Sequence, residues 1–286
     1  MAIERQHRLR LSIYRIILYL YGVSSPWVRH KLLWVLFLFW SKDAQSTPTG
    51  EEKQAKDITP HDFYQNNMEL YRSADATTAD TNRHLADLKK FILLHQDELQ
   101  GGQILDIGCG NIERLIGPVA DAFPMQRFLG IDIVQPTMSQ ADMPSNFTFN
   151  LGDFSNIPLA DNSCSAVLAN WSVLNDLTNR RQQLLSLAEV SRVLIPGGYF
   201  YFDVPVLEGT GGYYKQAKLY SQKHPEVLFG MITRVFGCKE KRFYIYPHSE
   251  LLALLEYNSL DYIQSHKWQT PSGQTRETYL CRLGVL

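Results

Sequence analysis

An apolar run that ends in an acid and then turns on two glycines constrains this chain more than any other feature. The run is Gln103-Ile104-Leu105-Asp106-Ile107 and the turn is Gly108-Cys109-Gly110. Asp132 follows 22 residues after Gly110, near the end of a second apolar run, Gly130-Ile131-Asp132-Ile133. Gly108 and Gly110 let the backbone turn tightly and approach a ligand with no Cβ in the way. A carboxylate at Asp132 can accept two hydroxyl groups at once. The arrangement suits a nucleoside that carries both a ribose and a cationic amino-acid tail.

The rest of the chain agrees with a strand–turn–helix origin for that turn. Strands are expected near 103–107, 127–132, 146–151, 164–170 and 198–204, with helices near 112–123, 136–142 and 180–194 between them. A helix over Ser249 to Tyr257 and strands at 259–268 and 276–283 complete the pattern. Alternation of this kind implies right-handed crossovers and a doubly wound, seven-stranded, mainly parallel α/β sheet. At 286 residues and 45% apolar content the chain can bury such a core and still carry additions. In this architecture the ligand lies outside the carboxyl ends of the strands, where the strand order reverses. A nicotinamide dinucleotide fits less well. Its fingerprint needs a third glycine where Glu113 stands, and an acid there repels a pyrophosphate.

The motif series resembles the class I S-adenosylmethionine-dependent methyltransferases, whose first motif is matched by Leu105-Asp106-Ile107-Gly108-Cys109-Gly110. Further similar stretches follow in order: Leu151-Gly152-Asp153-Phe154, Ile157-Pro158-Leu159-Ala160-Asp161-Asn162-Ser163, and Arg192-Val193-Leu194-Ile195-Pro196-Gly197-Gly198. The resemblance covers about residues 100–205 and implies a Rossmann-like fold with S-adenosyl-L-methionine as cofactor. It implies that Asp106, Gly108, Cys109 and Gly110 hold the methionine end, and that Asp132 with Ile133 holds the ribose. Asp153 and Phe154 then contact the adenine, and Asn170 joins them from the end of strand four. Two departures stand out. Ile112 replaces the third glycine of the loop and is expected to narrow the space near the ligand. Ser165-Ala166 stands where an acid is common.

The resemblance also places the segment after strand four, Asn170 to Leu177, beside the transferred methyl. Asn175 could orient an amine or hydroxyl there. Asp176 is its ionisable residue, read either as a catalytic carboxylate or as an N-cap. Trp171 is read as pocket wall or core. Residues 205–247 are long for a link between a strand and a helix, which suggests a substrate-side insertion with Tyr213 and Tyr214 as acceptor contacts. His248 is expected to cap the following helix. Methyl transfer gains most from alignment and desolvation, and needs a base only when the acceptor must lose a proton. The four cysteines form no CxxC pair and no Cys/His cluster of zinc spacing, so no metal is expected and a reducing cytoplasm is the default. A polyamine-binding aminopropyl transferase would want more acids than Asp176.

Charge is segregated. Residues 1–45 carry +5 and 205–247 carry +4, whereas 46–204 carry −9, within a net charge of −1. Residues 1–45 form a basic, apolar helical extension ahead of a linker at 46–60 and a catalytic domain at 61–286. Leu9, Ile13, Ile16, Ile17 and Leu20 recur at helical spacing, and Leu32 to Trp40 is an uninterrupted apolar run. Neither run is long enough to cross a bilayer. The extension reads as a membrane-interface anchor, with residues 1–42 on anionic lipid, or as a helical pair or lid packed on the domain. Three functions remain open. One is methyl transfer to a small-molecule or lipid-like acceptor by a cytoplasmic protein, peripheral on the inner face of a membrane in the anchor reading. The second is RNA or tRNA modification, less favoured because the acidic body would repel a polyanion. The third is a non-catalytic membrane-associated adaptor.

Overall fold

The computed structural model describes residues 59–72, 78–136, 138–207, 212–224, 227, 229–236, 239–270 and 273–284, with scattered positions between 13 and 36. Most of the expected extension, nearly all of the linker, the Gly209-Thr210-Gly211 stretch and Cys238 lie outside the described residues.

Seven strands form one sheet. They are β1 (Gln103–Ile107), β2 (Arg127–Asp132), β3 (Phe147–Leu151), β4 (Cys164–Ala169), β5 (Leu194–Pro205), and further on β8 (Leu260–Gln269) and β9 (Thr275–Leu283). Their order is β3-β2-β1-β4-β5-β9-β8. Pairing is parallel from β3 to β5, and β9 runs antiparallel to both β5 and β8. The chain leaves β1 toward one edge and returns through β4 toward the other, so the order reverses between β1 and β4. All six residues of β4 are buried, as a central strand covered on both faces requires.

Side-chain alternation sorts the core into two layers. Leu105, Ile107, Leu129, Ile131, Val167, Phe200 and Phe202 face α5 (Arg180–Val193) and α7 (His248–Tyr257), where Leu187, Val190, Leu251 and Leu254 are buried. Ile104, Phe128, Ala166, Leu168, Tyr199 and Tyr201 share the opposite layer with α2 (Thr78–Leu94) and α4 (Ile116–Ala122). Two further helices, α1 (Pro60–Arg72) and the four-residue α3 (Gln96–Leu99), precede β1. Asn179 starts α5, its side-chain oxygen accepting the Gln182 N–H at 2.9 Å, so Asp176 is not the cap of that helix.

Three expectations need correction. The helix expected at 112–123 is a 3-10 turn, Ile112–Arg114, followed by a short helix from Ile116. The one expected at 136–142 is only a 3-10 turn at Gln140–Asp142, because Pro136 and Pro144 bracket too short a run. His248 opens α7 without capping it; its Nδ1 lies 2.8 Å from the Tyr279 hydroxyl. The 205–247 stretch folds as α6 (Gly212–Lys223) and an antiparallel hairpin of β6 (Met231–Phe236) and β7 (Lys239–Tyr244). A small apolar cluster of Leu207, Ala217, Ile232 and Ile245 holds these pieces together.

Within the extension, Ile17, Tyr21 and Leu36 are buried in the main core. The Tyr21 hydroxyl donates to the Glu256 carboxylate of α7. Ile13, Ile16, Tyr19, Leu20 and Val35 are exposed. The described part of the segment therefore packs on the domain through one set of apolar residues and presents another set outward.

Candidate active site

The reversal of strand order between β1 and β4 leaves a cleft of about 540 Å³ at the carboxyl ends of the parallel strands. Its floor is the turn after β1. Gly108 and Gly110 have φ of 66° and 51°, in the left-handed region. At Gly108 a Cβ would stand 2.6 Å from Val173 Cγ2, so glycine is required for space as well as for conformation. The Gly110 N–H donates to Asp132 Oδ2 and the Val134 N–H to Asp132 Oδ1, both at 2.9 Å. Asp132 is thereby fixed at the end of β2 beside the glycine turn.

Asp106 is 3% exposed, one residue before the carboxyl end of β1. Burial, together with the negative charge of Asp132, raises its pKa to about 8, and the neighbouring Asn170 amide offsets this only in part. Burial also raises the pKa of Asp132, against backbone N–H donors that lower it. Asn170 is itself buried, and neither its amide nitrogen nor its oxygen makes a well-formed hydrogen bond. A buried, proton-holding carboxyl and an unsatisfied amide together form a receptor for a cationic group with hydrogen-bonding capacity.

The remaining expected cofactor contacts also line the cleft. Cys109 packs its sulfur where a Cβ on Gly130 would come within 2.7 Å, which leaves its backbone toward the opening. Ile133 and Phe154 form apolar wall. Asp153 is exposed and forms an Asx-turn, its Oδ1 accepting from the Ser155 N–H and hydroxyl at 2.6 Å each. Ile112 departs from expectation. Its side chain is fully buried in the core layer of α2 and α4 and does not line the cleft, so the missing third glycine leaves the cleft unobstructed.

The outer half of the cleft is built on the turn after β4. Trp171 and Ser172 have φ of 60° and 66°, a strained pair for residues with side chains. Asp203, fully buried in β5, holds that turn. Its Oδ1 accepts the Trp171 N–H at 2.7 Å, and its Oδ2 accepts Arg276 Nε at 2.7 Å. Arg276 also donates to Ser172 Oγ at 2.6 Å. The Trp171 ring lies between His84, with ring centroids 4.2 Å apart, and the Arg114 guanidinium, 4.0 Å from its centroid. Trp171 is thus cleft wall.

Asn175 donates to the Tyr244 carbonyl at 2.5 Å, and its Oδ1 makes no hydrogen bond. Asp176 accepts the Tyr64 hydroxyl at 2.7 Å and lies 2.8 Å from Lys241 Nζ. Lys241 is 1% exposed and enclosed by the rings of Phe63, Tyr64 and Phe243. Burial lowers its pKa while Asp176 holds it up. Tyr213 lines the cleft, donating to Gln274 Oε1 and accepting from Arg234, both at 2.7 Å. Tyr214 does not line the cleft; it packs edge-on to Phe229.

Sequence reasoning missed Tyr64, Arg114, Asp203, Arg234, Gln274 and Arg276. Two had a local signal. Asp203 is an acid inside the apolar run Tyr199 to Pro205, and a buried acid demands a partner. Arg114 stands four residues past Gly110. The others reach the cleft from distant elements, and no spacing in the sequence links them.

Among the described residues, no group of three or more His, Cys, Asp or Glu side chains could hold a metal ion. Residues 105–202 match a family described as a methyltransferase domain. A demethylmenaquinone methyltransferase from Symbiobacterium thermophilum is 28% identical over 107 residues, 35% of this chain and 41% of that protein. The chain thus spans about two fifths of the length of that curated relative. Among solved structures, a SAM-dependent methyltransferase from Methanosarcina mazei superposes with a TM-score of 0.55 at 18% identity. That match covers 68% of this chain and 98% of the other. The 1,6-didemethyltoxoflavin-N1-methyltransferase of Burkholderia thailandensis, solved with 1,6-didemethyltoxoflavin and S-adenosylhomocysteine, has a TM-score of 0.52 at 15% identity. It covers 77% and 84% of the two chains.

Proposed function

We propose that this chain, which belongs through residues 105–202 to the class I S-adenosylmethionine-dependent methyltransferases, transfers a methyl group to a small-molecule or lipid-like acceptor. The observation that carries the reading is the buried Asp106 facing Asp132 across the Gly108–Gly110 turn, with the unsatisfied Asn170 amide beside them.

The donor set fits the cofactor. In this reading Asp106 and Asn170 take the ammonium of the methionine end, and Arg114, next to the turn, takes its carboxylate. Asp132 takes the ribose hydroxyls, and Asp153 with Phe154 takes the base. Bound S-adenosylmethionine supplies an electrophilic methyl carbon on a cationic sulfur. This chain's own residues then align the acceptor and exclude water, through Trp171, Val173, Tyr213, Ile232 and Phe243. Asn175 Oδ1 is available to accept a hydrogen bond from an acceptor amine or hydroxyl. Asp176, committed to Lys241 and Tyr64, orients the acceptor. Residues 61–286 form the catalytic domain, with 205–247 as its acceptor-side insertion.

Calorimetry with S-adenosylhomocysteine tests the assignment. Micromolar binding that Asp106→Ala and Asp132→Ala each abolish is the expected result. No measurable heat with the intact chain would leave the adaptor reading in its place.

The outward set of apolar residues at Ile13, Ile16, Tyr19, Leu20 and Val35, within a segment of charge +5, favours peripheral attachment to an anionic bilayer. Among the described residues no helix is long and apolar enough to cross a membrane. Flotation with phosphatidylserine vesicles should retain the full chain and release a chain lacking residues 1–42. Equal flotation of the two would end this reading.

A further inference from the structure

The acids and bases of the cleft are unevenly distributed. Asp106, Asp132 and Asp153 gather at the cofactor half. In the outer half each acid is matched: Asp176 by Lys241 at 2.8 Å, and Asp203 by Arg276. Arg234 is additional. Its Nη2 donates to the Tyr213 hydroxyl at 2.7 Å, and among the described residues no carboxylate pairs with it.

The hairpin makes this charge more unusual. Arg234 of β6 stands directly opposite Lys241 of β7 in the antiparallel register. Directly opposed side chains share a face, and like charges so placed destabilise a hairpin. Two pairs further along, Ile232 opposes Phe243 on that same face, and both line the cleft with Arg234. The hairpin therefore turns Arg234 and two apolar side chains toward the cleft, while the buried Lys241 is compensated by Asp176.

The shape of the charge network adds direction. The Arg234 guanidinium lies 5.5 Å from the Tyr213 ring centroid and 5.9 Å from that of Phe243. Tyr213 is braced in turn by Gln274 from the β8–β9 connection. The guanidinium is thus held at the rim of an aromatic bay by two rings and one hydroxyl, with donors remaining for an anion.

We infer that the outer half of the cleft receives a flat, apolar acceptor bearing an anionic group, and that Arg234 is the specificity residue that reads the anion. The inference rests on the methyltransferase reading of the same cleft and adds the acceptor's chemical class to it. The net positive charge of this half favours an anionic acceptor over a neutral one of the same shape.

The test uses the full chain saturated with S-adenosylhomocysteine, titrated with 2-naphthoate and with its neutral isostere 2-naphthamide. The naphthoate should bind about tenfold or more tightly than the amide, the scale of one charge-assisted hydrogen bond. Arg234→Gln should remove that preference while leaving amide affinity, S-adenosylhomocysteine affinity and melting temperature unchanged. Equal affinities for the two probes would overturn the inference, as would a preference that survives Arg234→Gln, or binding of neither probe while S-adenosylhomocysteine still binds. Failure of S-adenosylhomocysteine itself to bind would overturn the underlying methyltransferase reading along with it.

Discussion

Asp106 carries the most informative chemistry at the scale of single residues. Its pKa is raised from an ordinary carboxyl value to about 8, first by burial and then by Asp132. The folded protein therefore keeps a proton that the unfolded chain has already lost between about pH 4 and 8. Stability from this group falls as pH rises through that window and is level above it. A bound ammonium group favours the carboxylate, so cofactor binding should expel the proton. Calorimetry in buffers of different ionisation enthalpy at about pH 6.5 should find close to one proton released per S-adenosylhomocysteine bound. Uptake, or no release, would show that Asp106 does not pair with the ammonium. Asp132 offers a second expectation. Asp132→Asn removes a charged acceptor and should weaken S-adenosylhomocysteine about 10–100-fold. Its melting temperature should drop less than that of Asp132→Ala, which also strands the Gly110 and Val134 N–H groups. Both acids were legible in the sequence, because a carboxylate at a strand end beside a glycine turn has few structural uses. The buried pairs Asp203–Arg276 and Asp176–Lys241 were not, because their members lie more than sixty residues apart.

At the scale of elements, the turn after β1 and the turn after β4 interlock. Gly108 leaves room for Val173, whose Cγ2 would lie 2.6 Å from an added Cβ. Gly108→Ala should cost about 2–3 kcal/mol, from overpacking plus a left-handed alanine. Val173→Ala in the same chain should recover the packing part and leave the conformational part of about 1 kcal/mol. Urea midpoints of the four chains would measure the coupling, and simple additivity would mean that the two turns do not touch. Strand positions were readable from apolar runs bounded by turn residues: β1 and β2 match their expected limits, and the other five differ by no more than one residue at every end except the start of β5. β5 starts earlier, at Leu194, because the Pro196-Gly197-Gly198 turn is absorbed as an irregularity in its pairing with β4. The β6–β7 hairpin was not expected. The unbroken charged run Lys239-Glu240-Lys241-Arg242 obscured its period, and its packing comes from the apolar cluster of Leu207, Ala217, Ile232 and Ile245.

For the molecule as a whole, a buried polar link ties together the two helices that cover one face of the sheet. Arg180 of α5 donates to Glu250 of α7 at 2.6 Å, each side chain 1% exposed, and the Tyr244 hydroxyl reaches the same carboxylate at 2.7 Å. Arg180→Met leaves Glu250 buried without its cation and should destabilise the protein by about 3–5 kcal/mol. Adding Glu250→Gln should restore about half of the loss, as read from thermal or urea unfolding. A single change costing under about 1 kcal/mol would show that water reaches the pair. The same scale holds the two halves of the cleft in one frame, since β9 brings Arg276 against β5 and thereby fixes the turn after β4.

The sequence alone determined the seven strands, their two-layer packing and the acidic half of the cleft at the glycine turn, because these depend on short-range patterns: a period of two, a glycine turn, an acid at a strand end. In the outer half, Trp171, Asn175, Asp176 and Tyr213 were named from the sequence, but their partners were decided only by tertiary structure. Those partners come from α1, the β6–β7 hairpin and the β8–β9 connection, and charges separated along the chain meet only when the sheet brings those elements to one edge. Burial then sets their partners and pKa values, and burial is a property of the assembled fold.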